Sequence, residues 1–417
     1  KITVCLIFTI VSCSNKPKKN VASNKNVRPN VIFIVTDDQG YGDLASHGNP
    51  WIKTPNLDKF SKESLELTNF HVGTTCAPTR AGLMTGRNAN RNNAWHTIGG
   101  CSILLDDEET IAQVYEKNDY ETIMLGKWHL GDNYPYRPED RGFSKTFSLM
   151  GGGVNQTPDY WNNTYFGDTY YRNGSPEKTK GYCTDVFFDE AIDQINTSKD
   201  KPFFMYVALN AAHSPFNVPE EYAKIYSDTP LSDIQKRFYG MITNIDDNFG
   251  KLVAHLKKEG LYDNTILVFT TDNGTAAGIK RGKSKGSSTG YNAGLNGTKG
   301  SHYDGGHRVP FFISWPNGNL LHGQKIGDLA AHVDMLPTLA ELSGIPFSEK
   351  KPLDGKSIAG VLQGKTKATD RMLVIDTQRN QLPEKNRNSC IMSRDWRLIN
   401  GKELYHTLED PGQKNDI

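Results

Sequence analysis

No stretch of this 417-residue chain strings together the roughly eighteen apolar residues of a membrane-spanning helix. Neither sign of charge dominates: 48 Lys and Arg stand against 47 Asp and Glu, a net charge of +1. That balance leaves no global electrostatic footprint for nucleic acid. Cysteine is scarce, six in all, which rules out a disulfide scaffold. Internal repeats are missing too, so a solenoid array is excluded. What is present is ordinary for a globular protein, 36% hydrophobic and 23% charged. The length allows one large core, or a large and a small domain.

The first residues differ from the rest. A lysine precedes an apolar run from Ile2 to Val11, then Ser12 and Cys13, then polar residues rich in Lys, Asn and Ser. This pattern predicts a secretory signal over residues 1–12 and a flexible tether over 13–28. The Ile10-Val11-Ser12-Cys13 ending resembles a bacterial lipobox, in which the cysteine is lipidated after cleavage; an ordinary signal with an incidental cysteine is the alternative. The expected location is the periplasm or cell surface, anchored through lipid at Cys13. With Cys5 and Cys13 set aside, Cys76, Cys101, Cys183 and Cys390 remain. If Cys76 has a chemical task, at most one disulfide can form among the other three.

Apolar β-branched runs that end abruptly in polar residues recur along the chain: NVIFIVTDD, KPFFMYVALNAAH, NTILVFTTDNG and VPFFISWP. Each reads as a buried strand delivering polar groups at its carboxyl end. TPNLDKFSKESLEL, with its Thr-Pro start, and DNFGKLVAHLKKEGL and AAHVDMLPTLAELSGI, each closed by glycine, read as helices. Alternating strands and helices predict an α/β fold with its site along one sheet edge. A long Gly/Ser/Lys segment from Ala276 to Gly300 reads as a functional lid or a connection.

Two strand ends carry hard oxygen donors, Asp37-Asp38 and Asp272-Asn273. Carboxylate and amide oxygens without clustered His or Cys suit calcium or magnesium, not zinc. Acids at strand ends are often mere caps or turns; two such pairs in one α/β chain favour a metal site. Lys127 and His129, two apart, project to one side if the segment is extended. His213 sits at another strand end, and Lys299 lies in a glycine-rich approach to a strand. His47, His71, His255, His322 and His406 have no such placement and read as structural or surface residues.

The segment GTTCAPTRAGLMTGR, Gly73 to Arg87, places a cysteine among small residues, two before a proline and four before an arginine. It matches the sulfatase signature C-x-P-[S/A/T]-R-x-x-x-[L/M/I]-[T/S]-G-R throughout. TDDQGYGD, GKWHLG, TDNG, KGSHYDGGHRVP and HVDMLPTLAELSG follow in the order of that family. ELYHTLEDPGQKNDI is similar to its C-terminal element. The chain thus resembles the formylglycine-dependent sulfatases of the alkaline phosphatase superfamily, bacterial carbohydrate sulfatases in particular, from about Val31 to its end. Asp304 departs from the pattern, standing where glutamate is commoner.

The resemblance implies a large domain over 29–365, with a mostly parallel mixed sheet flanked by helices. It implies a small α+β subdomain over 366–417, shorter than in relatives that continue into a final helix. It implies that a maturation enzyme oxidises Cys76 to formylglycine, whose hydrated aldehyde attacks sulfur with one hydroxyl and expels sulfate through the other. One calcium ion would be held by Asp37, Asp38, Asp272 and Asn273 together with the group derived from Cys76. Arg80 would anchor that group, and Lys127 and Lys299 would clamp sulfate oxygens. His129 would serve as base for the second hydroxyl and His213 as acid for the leaving oxygen.

The implied function is hydrolysis of sulfate monoesters on sulfated oligo- or polysaccharides. A phosphomonoester or phosphonate hydrolase of the same superfamily is the nearest enzymatic alternative, and a non-catalytic glycan-binding lipoprotein the alternative of another class. Between Pro158 and Gly174 lie Tyr160, Trp161, Tyr165, Phe166, Tyr170 and Tyr171. These aromatics can stack on sugar rings or pack a surface hairpin, and the sequence leaves both open. Arg91, Trp95 and His96 are further candidates for the substrate pocket.

Overall fold

The structure, a computed structural model, describes residues 28–98, 100–198, 201–281 and 288–417. The signal and tether predicted over 1–12 and 13–28 lie outside them, apart from Arg28. Among the described residues, ten strands form the main sheet. In chain order these are β1 (Asn30–Thr36), β2 (Leu65–Leu67), β3 (Glu121–Lys127), β4 (Lys145–Leu149), β5 (Thr169–Arg172), β6 (Ser175–Lys178), β7 (Phe203–Ala208), β8 (Thr265–Thr271), β9 (Phe311–Ser314) and β10 (Lys325–Ile326). Their spatial order is β10-β2-β9-β8-β1-β7-β3-β4-β5-β6. The central run β8-β1-β7-β3-β4 is parallel, while β9 and β5 join its two flanks antiparallel. The predicted mostly parallel mixed sheet is thus present.

The strand runs are apolar at every position because both sheet faces are covered. Val31, Phe33 and Val35 face one core and Ile32 and Ile34 the other, each at most 3% exposed. On the first face pack α2 (Cys76–Thr85) and α5 (Met335–Leu342). On the second pack α1 (Pro55–Glu63), α3 (Cys183–Thr197) and α4 (Asp233–Lys258). Burying each large aliphatic side chain contributes about 1.5–3 kcal/mol, so the sheet is a stiff platform for what its strand ends carry.

Local signals explain the helix limits. Pro55 opens α1 at its first turn, where its missing N–H costs nothing. Ser232 and Gln235 cap α4 reciprocally, and Gly260 at φ +70° follows its end. Helix α4 is longer than the DNFGKLVAHLKKEGL segment suggested, because its amphipathic pattern begins at Asp233. Helix α2 is buried at all ten positions and closes on Gly86 at φ +67°. A Cβ on Gly82 of α2 would meet the His332 ring at 2.4 Å, so glycine lets helix and loop touch there.

Beyond the short helix Ala359–Leu362, the C-terminal residues form a separate antiparallel sheet: β11 (Leu373–Asp376), β12 (Ser389–Met392), β13 (Trp396–Ile399) and β14 (Glu403–His406). Leu329, Ile375, Cys390, Met392, Ile399 and Tyr405 make its own small core. No helix among the described residues is long and apolar enough to cross a membrane. No disulfide links the four described cysteines, Cys76, Cys101, Cys183 and Cys390.

Candidate active site

The carboxyl ends of β1, β7, β3 and β8 converge on the first turn of α2. Backbone bonds knit the loops leaving them: Ala212 N–H donates to the Asp37 carbonyl at 2.7 Å, Asp272 N–H to Thr36 at 3.1 Å and Gly300 N–H to Thr74 at 2.8 Å. Cys76 is the first residue of α2 and 2% exposed. Its sulfur and carboxylate oxygens of Asp37 and Asp272 all lie within 4.8 Å of one another. Within the signature, Thr79 donates its hydroxyl to the Asp272 carbonyl at 2.6 Å, fixing helix to strand end.

Three cations oppose three acids in this buried volume. Lys127 Nζ donates to Asp37 Oδ2 at 2.5 Å, and Lys299 Nζ meets Asp38 at 2.7 and 2.9 Å. Arg80 is directed at Asp272, through Nε at 3.1 Å and Nη2 at 2.7 Å, while Nη1 donates to the Lys127 carbonyl at 3.0 Å. Its planar fork therefore ties α2 to the ends of β3 and β8. Asn273 Nδ2 donates to Asp38 Oδ1 at 2.8 Å. All four predicted oxygen donors are thus brought together with Cys76, Arg80, Lys127 and Lys299.

The charges do not close on themselves. Burial and the neighbouring Asp272 push the Asp37 carboxyl well above its ordinary range, against the pull of Lys127. Asp37 Oδ1 and Asn273 Oδ1 are buried with no hydrogen-bond partner among the described residues. Two orphaned hard oxygens beside crowded carboxylates are unfavourable by themselves and fit a hard cation such as calcium.

Both predicted histidines border this cluster. His213 Nδ1 lies 2.6 Å from the Ser214 carbonyl, and its Nε2 lies 3.9 Å from Asp38 Oδ2. Burial lowers His213 to about 4, although Asp38 opposes the shift. His129 Nε2 lies 3.3 Å from the Thr97 carbonyl, and its Nδ1 is buried without a partner. Burial, then Lys127 and Arg80, hold His129 well below its usual range. Burial thus disfavours the charged form of both rings, and His213 Nε2 and His129 Nδ1 are the nitrogens left for chemistry. The extended segment assumed for Lys127 and His129 is not what forms: β3 ends at Lys127, and His129 adopts φ +58°. Asp38 is left-handed too, at φ +64°. Such conformations cost of order 1–3 kcal/mol and collect at functional sites.

Several contributors went unread in the sequence. A Cβ on Gly152 would meet the His129 ring at 2.6 Å, and one on Gly153 the His213 ring at 3.0 Å. Bare backbone thus walls both imidazoles, and the run Gly151-Gly152-Gly153 was the available signal. The Tyr165 hydroxyl reaches the carbonyls of Asn210 at 3.0 Å and His213 at 2.5 Å, holding the loop that bears His213. The aromatic segment divides. Tyr165 and Tyr170 are buried and β5–β6 is a hairpin, whereas Tyr160, Trp161 and Phe166 are exposed. Of the other pocket candidates, Arg91 is ion-paired to Asp354 at 2.5 Å, Trp95 Nε1 donates to the Asn380 carbonyl at 3.1 Å, and His96 is buried beside Arg379. Part of the predicted Ala276–Gly300 lid is a small antiparallel ribbon pairing Ile279–Arg281 with Ser288–Gly290.

Comparison with known proteins follows the same lines. The family description "Sulfatase" matches residues 29–345. Mouse arylsulfatase J is 32% identical over 360 residues, which cover 79% of this chain but only 55% of that relative. Human N-acetylgalactosamine-6-sulfatase is 31% identical over 371 residues, covering 82% of this chain and 68% of the relative. A crystal structure of Ps i-CgsB in complex with k-i-k-neocarrahexaose superposes with a TM-score of 0.80 at 29% identity, covering 94% of this chain and 89% of that one.

Proposed function

The chain belongs to the sulfatase family, and from that premise we propose that it hydrolyses sulfate monoesters of sulfated oligo- or polysaccharides, with Cys76 oxidised to formylglycine. The observation that carries this reading is the burial of Cys76 among three carboxylates, three cations and two buried histidines at the ends of parallel strands. A carbohydrate substrate is supported by the human relative's name, which specifies a sulfated amino sugar, and by the hexaose held in the solved neighbour. Residues 29–365 are assigned to the catalytic domain and 366–417 to the C-terminal subdomain.

The hydrated aldehyde supplies two hydroxyls on one carbon, one to attack sulfur and one to lose its proton as sulfate departs. Asp37, Asp38, Asp272, Asn273 and the oxidised Cys76 would hold calcium, whose charge would offset that of the ester oxygens. Arg80 fixes Asp272 and lies beside position 76, keeping donor oxygens and nucleophile in register. Lys127 and Lys299 act as point charges toward the transferring sulfate. His213 Nε2 gives its proton to the leaving oxygen; the anionic ester entering beside it favours the imidazolium that burial alone disfavours. His129 Nδ1 takes the proton of the second hydroxyl, its Nε2–H remaining on Thr97. A side chain at Gly152 would run into the His129 ring and one at Gly153 would crowd the His213 ring, so bare backbone keeps both rings clear.

A formylglycine-generating enzyme is the required maturation partner, and export with lipidation at Cys13 would bring the protein to polymeric substrates. The test is peptide mass analysis of protein made in a host with that enzyme, paired with turnover of an aryl sulfate and an aryl phosphate. Aldehyde at position 76 and a preference for sulfate are expected. Sulfate release by protein carrying only the free thiol, or faster phosphate release, would remove the proposal.

A further inference from the structure

The rim of this pocket carries a cation that no acid among the described residues neutralises. Residues 376–380 run off β11 across the start of the signature helix. Thr377 Oγ1 meets Thr74 Oγ1 at 2.5 Å, two residues before Cys76, and Thr74 Oγ1 donates to the Asp376 carbonyl at 3.2 Å. Trp95 secures the far end through the Asn380 carbonyl. Between these fixings Arg379 Nε donates to His96 Nε2 at 2.9 Å. The residue after His96 is Thr97, whose carbonyl contacts His129. Arg379 is therefore tied to the catalytic pocket through a short chain of contacts, yet it is exposed.

Among the described residues Arg379 makes one hydrogen bond, through Nε, and no ion pair. The acids of its own loop are engaged elsewhere: Asp376 accepts from Asn90 at 2.7 Å and Gln378 at 3.1 Å, and Glu384 from Arg387 at 2.9 Å. His96 is 1% exposed, and burial followed by Arg379 lowers it to about 4. A neutral imidazole orients the guanidinium without cancelling its charge, which a carboxylate would do. Both terminal nitrogens stay available in the fork geometry that grips an oxyanion bidentately.

We infer that Arg379, aimed by His96, reads a second anionic group on the substrate, a sulfate or a carboxylate borne beside the sulfate that is cleaved. This deepens the hydrolase reading and rests on it: the substrate class becomes oligosaccharides with at least two acidic substituents. Arg379 is a specificity residue here and touches no reacting atom.

The test uses titration calorimetry in a Cys76→Ala background, which binds without turnover. Three sugars share the scissile sulfate: one carries it alone, one adds a second sulfate, and one adds a linked uronic acid. The parent is expected to prefer a doubly acidic sugar, and Arg379→Ala to reduce that preference by about tenfold or more, the worth of a charge-assisted pair. Arg379→Lys should restore only part of it, since the charge returns without the fork. Loss confined to the second sulfate or to the uronate identifies which group is read. Equal weakening for all three sugars, no weakening, or no preference in the parent overturns the inference. Failure of the hydrolase reading shows separately, as absent aryl sulfate turnover by formylglycine-bearing protein with Cys76 intact at the sequence level.

Discussion

Two buried charged clusters invite comparison, because each groups residues able to ligate a metal. One is Asp37, Cys76 and Asp272; the other is His71, Asp304 and His307. In the second, every polar group has a partner. His71 Nδ1 meets His307 Nδ1 at 2.9 Å and its Nε2 meets Asn69 at 2.8 Å; His307 Nε2 lies 3.3 Å from the His302 carbonyl. Arg397, from β13, pairs with Asp304 at 2.8 Å. In the first, Asp37 Oδ1, Asn273 Oδ1 and His129 Nδ1 stay unpartnered. A satisfied cluster holds structure; an unsatisfied one holds room for chemistry. The closed cluster joins the C-terminal sheet to the catalytic body, and Asp304, the departure from the family pattern, is the residue that Arg397 grips.

The sharpest way to break the comparison is to remove a histidine from each side. His213→Ala should cost roughly 10²–10⁴-fold in kcat/KM on a sugar sulfate, the span of positioned acid catalysis. On an activated aryl sulfate, whose oxygen leaves without a proton, the loss should be far smaller. His129→Ala should instead lower kcat on both substrates and leave kcat/KM little changed, because the proton transfer proposed for it comes after the alcohol has gone. A His213→Ala loss independent of leaving group would reverse the two assignments. His71→Ala should instead lower thermal stability and leave no leaving-group signature.

The next effect falls on the closed cluster. Arg397→Met leaves the buried Asp304 carboxylate unpaired, and breaking such a pair costs about 3–5 kcal/mol. Chemical denaturation should show it, with the C-terminal sheet loosened first. Restoration by the double change Asp304→Leu with Arg397→Met would show that the pair supplies no net stability beyond well-packed apolar residues. Equal stability of the single variant and its parent would deny the cluster its structural role.

The smallest effect separates the open cluster by its appetite for a cation. Calcium at a hundredfold excess over its dissociation constant should stabilise the parent by about 2.7 kcal/mol. Asp37→Asn should lose most of that gain. Its metal-free form should melt no lower than the metal-free parent, since the crowded Asp37 charge is gone. Calcium-independent melting of the parent would argue against the site.

Much of this organisation was legible in the sequence. The strands announced themselves as apolar runs ending in acids, because burial on both faces leaves no polar alternation. Asp37, Asp38, Asp272 and Asn273 stood out because strand ends are adjacent in a parallel sheet. What was hidden depended on long-range partners. Arg397 and Asp304 are 93 residues apart and Arg379 and His96 are 283 apart, and no local pattern records such pairings. The Gly151–Gly153 run was visible but meaningless without knowing that two imidazoles would lie against it. Tyr165, read with the other aromatics, proved to be a brace for the His213 loop.

One feature of the signature helix bears on timing. All ten residues of α2 are buried, and Arg80, Thr79 and Gly82 are locked against Asp272 and His332. An enzyme that must read Cys76 with its neighbouring proline and arginine finds none of them at the surface of the folded protein. The oxidation proposed for Cys76 therefore has to happen while the chain is still open. On that proposal maturation and folding would compete, and every molecule that folds first would be sealed with a thiol in place of the aldehyde. Yield of active protein is then governed by relative rates: slowing folding raises it, and speeding synthesis beyond the capacity of the modifying enzyme lowers it.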